Sequence, residues 1–91
     1  MSLNISHDIH HHRFHVDVEG SSCVLDYRLA DSIMTITHTG VPTQVGGRGI
    51  AAQLMTAALH AARSQRWKVV PACPYAAAFM AKHPEFEDLR A

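Results

Sequence analysis

The chain has 91 residues, of which 47% are hydrophobic, and its eight acidic and eight basic side chains give a formal net charge of zero. This length permits one small core, and the apolar content excludes a disordered chain. Because basic residues do not outnumber acidic ones, a nucleic-acid partner is not expected. No stretch is typical of a membrane span or a secretion signal, and two cysteines in unrelated contexts make no disulfide framework, so we expect a cytoplasmic monomer or weak dimer.

The charges are unevenly distributed along the chain. Between Ser32 and Pro84 there are five cationic side chains and no acidic ones, whereas the acidic residues lie near the two ends. Such a segment favours an anionic ligand. The alternative is a chance clustering in a short chain.

The first twelve residues are polar and lack a clear period, which predicts a tail or the lead-in to a strand. Five histidines lie between His7 and His15, and they can bind a metal adventitiously. No pattern of cysteine or acidic partners completes a site, so we expect no functional metal. We divide the chain into this histidine-rich segment, residues 1–12, and a single domain over residues 13–91.

Three stretches show the period-two alternation of half-buried strands. They are Arg13–Glu19, Cys23–Leu29 and Ile33–Val41, separated by the turn signals Gly20-Ser21-Ser22 and Ala30-Asp31-Ser32. Short turns between strands of this length predict an antiparallel meander. Cys23 lies among apolar strand residues and is expected in the core.

After Pro42 the apolar residues recur at helical spacing, which predicts a long helix over about residues 48–64. A short apolar strand in Trp67–Cys73 and a second helix over Tyr75–Lys82 follow, and His83-Pro84 terminates that helix. A strand, a helix and a strand in succession form a crossover unit. The fold class is therefore α+β, with three antiparallel strands, a helix, a fourth strand parallel to the third, and a C-terminal helix.

Three of the five glycines, Gly46, Gly47 and Gly49, lie directly before the long helix. A helix N-terminus presents unpaired amides, and glycines let a phosphate approach them without meeting a Cβ. A P-loop is excluded because Ile50 stands where that motif requires lysine. The dinucleotide pattern Gly47-x-Gly49-x-x-Ala52 fits formally, but no acidic residue follows about 20 residues later. A tight turn without a ligand remains the alternative.

The segment Gln44-Val45-Gly46-Gly47-Arg48-Gly49 resembles the Q/R-x-x-G-x-G/A signature of the GNAT acetyltransferase superfamily. The flanking segments HTGVP and KVVPACPYAAAFMAKHPEFEDL are similar to a subfamily of very short GNAT-like proteins with a Pro-x-Cys-Pro-Tyr segment. The resemblance covers roughly residues 13–89. It implies a GNAT-like fold and an N-acetyltransferase that moves an acetyl group from acetyl-coenzyme A to an amine of unknown identity.

The resemblance also implies where acetyl-coenzyme A binds. Its pyrophosphate would lie on the loop, and its pantetheine arm would pair with the third strand, in a gap where the third and fourth strands diverge. The residues so implied are Gln44, Val45, Gly46, Gly47, Arg48 and Gly49 for the loop, and Ile36, Thr37, Thr39 and Val41 for the strand. Arg63, Arg66 or Lys68 is a candidate for the 3′-phosphate, with a solvated helix end as the alternative.

The residues that family members commonly use for chemistry are missing, since Gly40 and Phe79–Met80 stand where a glutamate and a tyrosine are common. The resemblance places Cys73 at the mouth of the acetyl site, before a helix whose N-terminus favours a thiolate. His38 is a candidate base or substrate contact, and Tyr75 a candidate proton donor. The alternatives are a buried cysteine, a core or surface histidine, and a helix-capping tyrosine.

The departures from the family pattern leave a second function open. The chain is then a non-catalytic coenzyme-A-binding module that acts as a sensor or interaction protein. A structural domain with an empty glycine loop is a third alternative.

Overall fold

The computed structural model describes residues 3–91 and shows one mixed sheet with helices packed against it. The strands are β1 (Ser6–Asp8), β2 (Arg13–Val18), β3 (Ser21–Ala30), β4 (Ile33–Gly40) and β5 (Lys68–Pro71), and the helices are α1 (Ile50–Gln65) and α2 (Pro74–Lys82). Two 3-10 segments, Thr43–Val45 and Pro84–Leu89, precede α1 and follow α2. The strands lie side by side in chain order, β1-β2-β3-β4-β5.

The strand count predicted from the sequence is wrong, because β1 lies inside the histidine-rich segment. It pairs antiparallel with β2, with Asp8 opposite Arg13. A strand of three residues is too short to show alternation, and tertiary contacts hold it instead. The His7 ring stacks on Phe14 with centroids 3.9 Å apart, and His7 Nε2 lies 2.6 Å from the buried Tyr27 hydroxyl.

The pairing predicted for the other four strands is confirmed. β2, β3 and β4 form an antiparallel meander, in which Phe14 lies opposite Leu25 and Leu29 opposite Met34. β5 pairs with β4 in parallel, with Ile33 opposite Lys68. The crossover through α1 therefore returns the chain to the same sheet, next to the strand it left.

Both helices cover the same face of the sheet, and the core lies between them and that face. The most completely buried large side chains are Leu25, Met34, Ile36, Leu54, Met55, Leu59, Met80, Val45, Val69 and Cys23. The prediction that Cys23 lies in the core is confirmed. The opposite face of the sheet carries exposed and half-buried side chains, and no helix in residues 3–91 packs on it.

The long helix begins and ends at residues with left-handed backbone. Gly49 precedes its first residue with φ +76°, and Arg66 follows its last with φ +62°. The Arg66 amide donates to the Ala62 and Arg63 carbonyls, which ends the helix in the manner of a left-handed C-cap.

Within residues 3–91 no helix is long and apolar enough to cross a membrane.

The contact of His7 with the core predicts a pH-dependent stability. Desolvation lowers the pKa of His7 below its ordinary value of 6.5, although the nearby Asp8 carboxylate acts in the opposite direction. The unfolded chain therefore binds a proton at a pH where the folded chain does not, so stability falls as the pH drops through about 6.5.

We expect the free energy of unfolding to decrease more steeply in the wild type than in His7→Gln as the pH is lowered from about 7.5 to about 5.5. Urea unfolding curves across this range would measure both slopes. Equal slopes in the two proteins would show that His7 titrates alike in the folded and unfolded chains.

Candidate functional site

The glycine-rich segment connects β4 to α1 and leaves its backbone open to solvent. Gly47 and Gly49 have φ of +78° and +76°, in the left-handed region that favours glycine. A Cβ at either position would meet no atom within 4 Å, and residues 46–49 are all exposed. The backbone conformation therefore favours glycine at two of these positions, and no protein atom fills the space above either of them.

The first turn of α1 supplies amide donors to this space. Gly49 is the N-cap, no side chain caps the helix, and the first turn contains no acidic residue. The first amides of an α-helix have no intrahelical acceptor and carry a partial positive charge. The buried side chain of Val45 anchors the loop to the core below them. The arrangement suits a phosphate group.

The cation in the loop already has a partner, which the sequence analysis did not foresee. Arg48 forms an ion pair with Glu19 in the turn between β2 and β3, and a second contact joins Arg48 Nη2 to Glu19 Oε1 at 3.4 Å. The guanidinium lowers the pKa of Glu19. A phosphate bound on the loop would compete with this carboxylate for Arg48.

A bulge changes the course of β4 beside the loop. Tyr27 lies opposite Ile36 and Asp26 opposite His38, so Thr37 is an extra residue in β4. β5 pairs with β4 only as far as Ile36, whose carbonyl accepts hydrogen bonds from the amides of residues 72 and 73 at 3.0 and 3.1 Å. Beyond that point β4 continues without β5, so the β5 side of β4 is unpaired up to Gly40, and we call this open edge the gap.

The bulge turns the backbone of Thr39 towards this gap. The Tyr27 amide donates to the His12 carbonyl, so the backbone groups of Tyr27 point towards β2. Backbone groups two residues apart in a strand point the same way, so those of Leu25 also point towards β2. Thr39 lies opposite Leu25 and therefore makes no backbone hydrogen bond with β3. Its amide and carbonyl face the gap instead, whereas the Ile36 carbonyl is already occupied.

Cys73 lies at the mouth of the gap. It is the N-cap of α2, and its Sγ accepts a hydrogen bond from the Ala76 amide at 3.4 Å. Thr39 Oγ1 lies 3.7 Å from the same sulfur, and the residue is only 7% exposed. The structure thus brings together Thr39, which the sequence analysis proposed for cofactor binding, and Cys73, which it proposed for catalysis. Both side chains lie on the helix-covered side of β4.

The structure does not bring His38 to the same place. His38 is exposed and lies opposite Asp26, which in turn lies opposite Arg13, on the uncovered face of the sheet. Its ring extends over Gly40, where a Cβ would lie 2.9 Å from Nε2. His38 and Cys73 are therefore on opposite sides of β4.

Tyr75 is separate from both. Its side chain is 37% exposed and lines a groove between α1 and α2, and burial raises the pKa of its hydroxyl. Among residues 3–91 no hydrogen bond joins Tyr75 to Cys73. The structure therefore places the three catalytic candidates in three different environments.

The candidates for a 3′-phosphate contact lie at the wrong end of α1. Arg63 is in its last turn, about 20 Å from Ile50 at 1.5 Å per residue. Arg63 also binds Asp88 with two hydrogen bonds of 2.7 and 3.0 Å, and Lys68 donates to the Asp88 carbonyl. Asp88 therefore occupies two of the three candidate cations, and a contact with a 3′-phosphate stays a prediction. The pairing with Asp88 could not be predicted without the fold.

Comparison with known proteins agrees with this fold. A family model described as GCN5-related N-acetyl-transferase matches residues 13–89. The NMR solution structure of a GCN5-like candidate N-acetyltransferase from Staphylococcus aureus is similar to this chain, with a TM-score of 0.77 and 26% sequence identity. That match covers 100% of this chain and 91% of the other.

The N-cap contact of Cys73 predicts a difference between two substitutions. Cys73→Ala removes the acceptor of the Ala76 amide and should lower the free energy of unfolding by about 1 kcal/mol, the usual effect of losing an N-cap. Cys73→Ser keeps an acceptor at the same place and should lose clearly less. Chemical unfolding of the two variants measures the difference, and equal losses would mean that the sulfur contact does not stabilise α2.

Proposed function

The chain belongs to the GCN5-related N-acetyltransferase family, and we propose that it transfers an acetyl group from acetyl-coenzyme A to an amine. The observation that carries the proposal is the continuity of three features. The uncapped N-terminus of α1, the gap beside β4 and the thiol of Cys73 follow one another along one side of the sheet. This order matches a ligand with a pyrophosphate, an extended arm and a reactive thioester.

The glycine loop holds the pyrophosphate through backbone amides. The exposed backbone at Gly47 and Gly49 gives the phosphates direct access to the first turn of α1. Arg48 adds a charge-assisted contact when it leaves Glu19 or shares its guanidinium with both groups. The Glu19 carboxylate occupies that guanidinium until the ligand arrives.

The open edge of β4 holds the pantetheine arm. Thr39 directs its amide and carbonyl into the gap, so the arm's own amides pair there as an additional strand would. Val41 lies two residues after Thr39, so its backbone groups point the same way and extend this edge towards the loop. Bound acetyl-coenzyme A supplies the activated thioester for the transfer.

Cys73 acts on the acetyl group at the end of the gap. The Ala76 amide donates to Sγ at the N-terminus of α2, and Thr39 Oγ1 lies 3.7 Å from the same sulfur, within reach of a proton transfer. Sγ would form a bond to the acetyl carbonyl carbon while the bond from that carbon to the coenzyme sulfur breaks, and the proton of the Cys73 thiol would pass to the departing sulfur. The amine then takes the acetyl group from Cys73, which regains its thiol.

His38 serves an acceptor that arrives from the other side. It lies on the uncovered face of the sheet, so an amine approaching through that face meets His38 before it reaches the gap. The imidazole can take the proton that an ammonium form of the acceptor must lose before its nitrogen can attack, and the proton that the nitrogen loses on acetylation then returns to the sulfur of Cys73. Since no helix in residues 3–91 packs on this face, the acceptor side is open enough for a protein as well as a small amine.

One observation favours the alternative of a coenzyme-A-binding module without catalysis. The chain carries Gly40 on the strand position where family members commonly have an acid, and the structure leaves His38 and Cys73 on opposite sides of β4. Binding without turnover is therefore the outcome that would replace the transferase proposal.

Isothermal titration with coenzyme A tests the loop. Gly47→Ala places a Cβ on the phosphate path, so we expect binding to weaken at least about tenfold, which corresponds to 1.4 kcal/mol. Gly20→Ala is the matched control, since Gly20 has φ +79° and equally open surroundings but lies in the β2–β3 turn.

Both substitutions carry a similar backbone cost of about 1–2 kcal/mol, which unfolding curves would verify. Binding that survives Gly47→Ala at the wild-type level would move the pyrophosphate away from the loop. No binding to the wild type would reject the proposed function and the binding module together.

Intact mass spectrometry and product assays with primary amines test Cys73. We expect acetyl-coenzyme A to leave one acetyl group on the wild-type chain, and turnover to fall about 100-fold or more in both Cys73→Ser and Cys73→Ala. Cys23→Ala, which changes the other buried cysteine, should retain acetylation and turnover. Wild-type rates in both Cys73 variants would assign that residue a structural role only.

A further inference from the structure

A pocket lies between the end of β2 and the start of α1. Its volume is about 530 Å³, which falls within the range of about 300–1,000 Å³ that is usual for small-molecule sites. Leu3, Val18 and Ile50 line it with apolar side chains, and those of Leu3 and Val18 are only half-buried. The pocket therefore has the size and the apolar walls to hold the body of a small ligand.

The edge of β2 is open beside this pocket. β1 pairs with β2 only as far as His15, so Asp17 has no partner strand on that side. The backbone groups of Leu25 point towards β2, where Phe14 lies opposite and returns them. Asp17 follows Phe14 by three residues, so its amide and carbonyl point away from β3 and find no backbone partner within residues 3–91. The Asp17 carbonyl is thus a free hydrogen-bond acceptor at the pocket.

Glu19 brings a carboxylate to the same end of the pocket. It lies in the β2–β3 turn with φ +50°, followed by Gly20 with φ +79°. Asparagine or glycine adopts this left-handed conformation at lower cost than glutamate does. The longer side chain at this position reaches Arg48, which also lines the pocket. Glu19 therefore belongs to the pocket and, through Arg48, to the glycine loop.

The ion pair decides which charge a ligand of the pocket must carry. In the proposed function, the pyrophosphate of coenzyme A takes Arg48 and leaves Glu19 without its cation. An anion in the pocket would compete with coenzyme A for the same guanidinium, whereas a cation would replace that guanidinium on Glu19. An ammonium group has three donors, enough for the Glu19 carboxylate and the Asp17 carbonyl together. A primary amine with an apolar body is therefore the complementary ligand.

The pocket is separate from the place of acetyl transfer. It lies at the outer edge of β2, whereas the gap that leads to Cys73 lies at the outer edge of β4. Three strands lie between the two edges, a distance of roughly 14 Å at the usual strand spacing. An amine bound in the pocket is therefore an effector and not the acceptor of the acetyl group.

We propose that this pocket binds a primary amine with an apolar body, its ammonium group on Glu19 and the Asp17 carbonyl, and that the bound amine strengthens coenzyme A binding by releasing Arg48. The coupling rests on the proposed function, because it needs a pyrophosphate at the loop. The amine site itself does not depend on that function.

A titration with phenethylamine in the absence of coenzyme A tests the site directly. We expect the backbone NMR signals of Val18 and Gln53 to shift, with a dissociation constant of about 1 mM, as is common for so small a ligand. Phenethyl alcohol has the same apolar body without the charge and should bind at least about threefold more weakly. Equal binding of the alcohol, or shifts confined to the surroundings of His38 or Cys73, would overturn the inference.

Titration calorimetry with coenzyme A tests the coupling. Coenzyme A carries no acetyl group, so no transfer consumes the amine. We expect saturating phenethylamine to tighten coenzyme A binding about twofold to fivefold, the usual worth of an exposed ion pair. Glu19→Gln should bind coenzyme A more tightly by about the same factor without the amine, and the amine should then have no further effect.

Asp31→Asn is the matched control. Asp31 is an exposed carboxylate with φ +53° in the turn between β3 and β4, at the other end of β3 from Glu19. It lines no part of the pocket. This variant should keep both the coenzyme A affinity and the amine effect of the wild type.

Weaker binding of coenzyme A in Glu19→Gln, or in the wild type with phenethylamine, would show that Glu19 positions Arg48 for the ligand, and it would overturn the coupling. If the wild type bound no coenzyme A at all, the proposed function would fail and the coupling with it. The NMR titration would then decide the amine site by itself.

Discussion

The point at which β5 leaves β4 determines the arrangement of the site. The Ile36 carbonyl accepts the amides of both Ala72 and Cys73, and this shared acceptor ends the parallel ladder. α2 begins immediately afterwards with Pro74 at its first position, where proline needs no hydrogen-bond acceptor. Had the ladder continued, Thr39 would have faced a paired strand and Cys73 would have lain inside it.

The rest of the site is arranged around that separation. The bulge at Thr37 shifts the phase of β4, so that Thr39 directs its backbone into the gap and its hydroxyl towards Cys73. The left-handed glycines then begin α1 at the same end of the sheet, with its amides uncapped. Two local irregularities, one in a strand and one before a helix, thereby leave an open strand edge and uncapped helix amides at the same end of the sheet.

The charges of the chain are arranged by the fold, not by their order along the chain. Arg48 from the acid-free middle segment pairs with Glu19 near the beginning, and Arg63 pairs with Asp88 near the end. Two of the five cations in the positive segment that the sequence analysis related to an anionic ligand are therefore ion-paired within the molecule. What remains for a ligand at the glycine loop is the set of uncapped backbone amides at the start of α1.

The sequence by itself determined the elements whose signals are local. Alternation predicted β2, β3 and β4, helical spacing predicted α1 and α2, and the three glycines located the loop. Only the tertiary structure decided which residues meet. It added β1, whose three residues are too few to show a pattern and which is held by the contacts of His7 with Phe14 and Tyr27. It also placed His38 and Cys73 on opposite sides of β4. The physical reason is that periodicity depends on neighbours in the chain, whereas ion pairs, strand phase and shared grooves depend on burial between segments that are far apart in it.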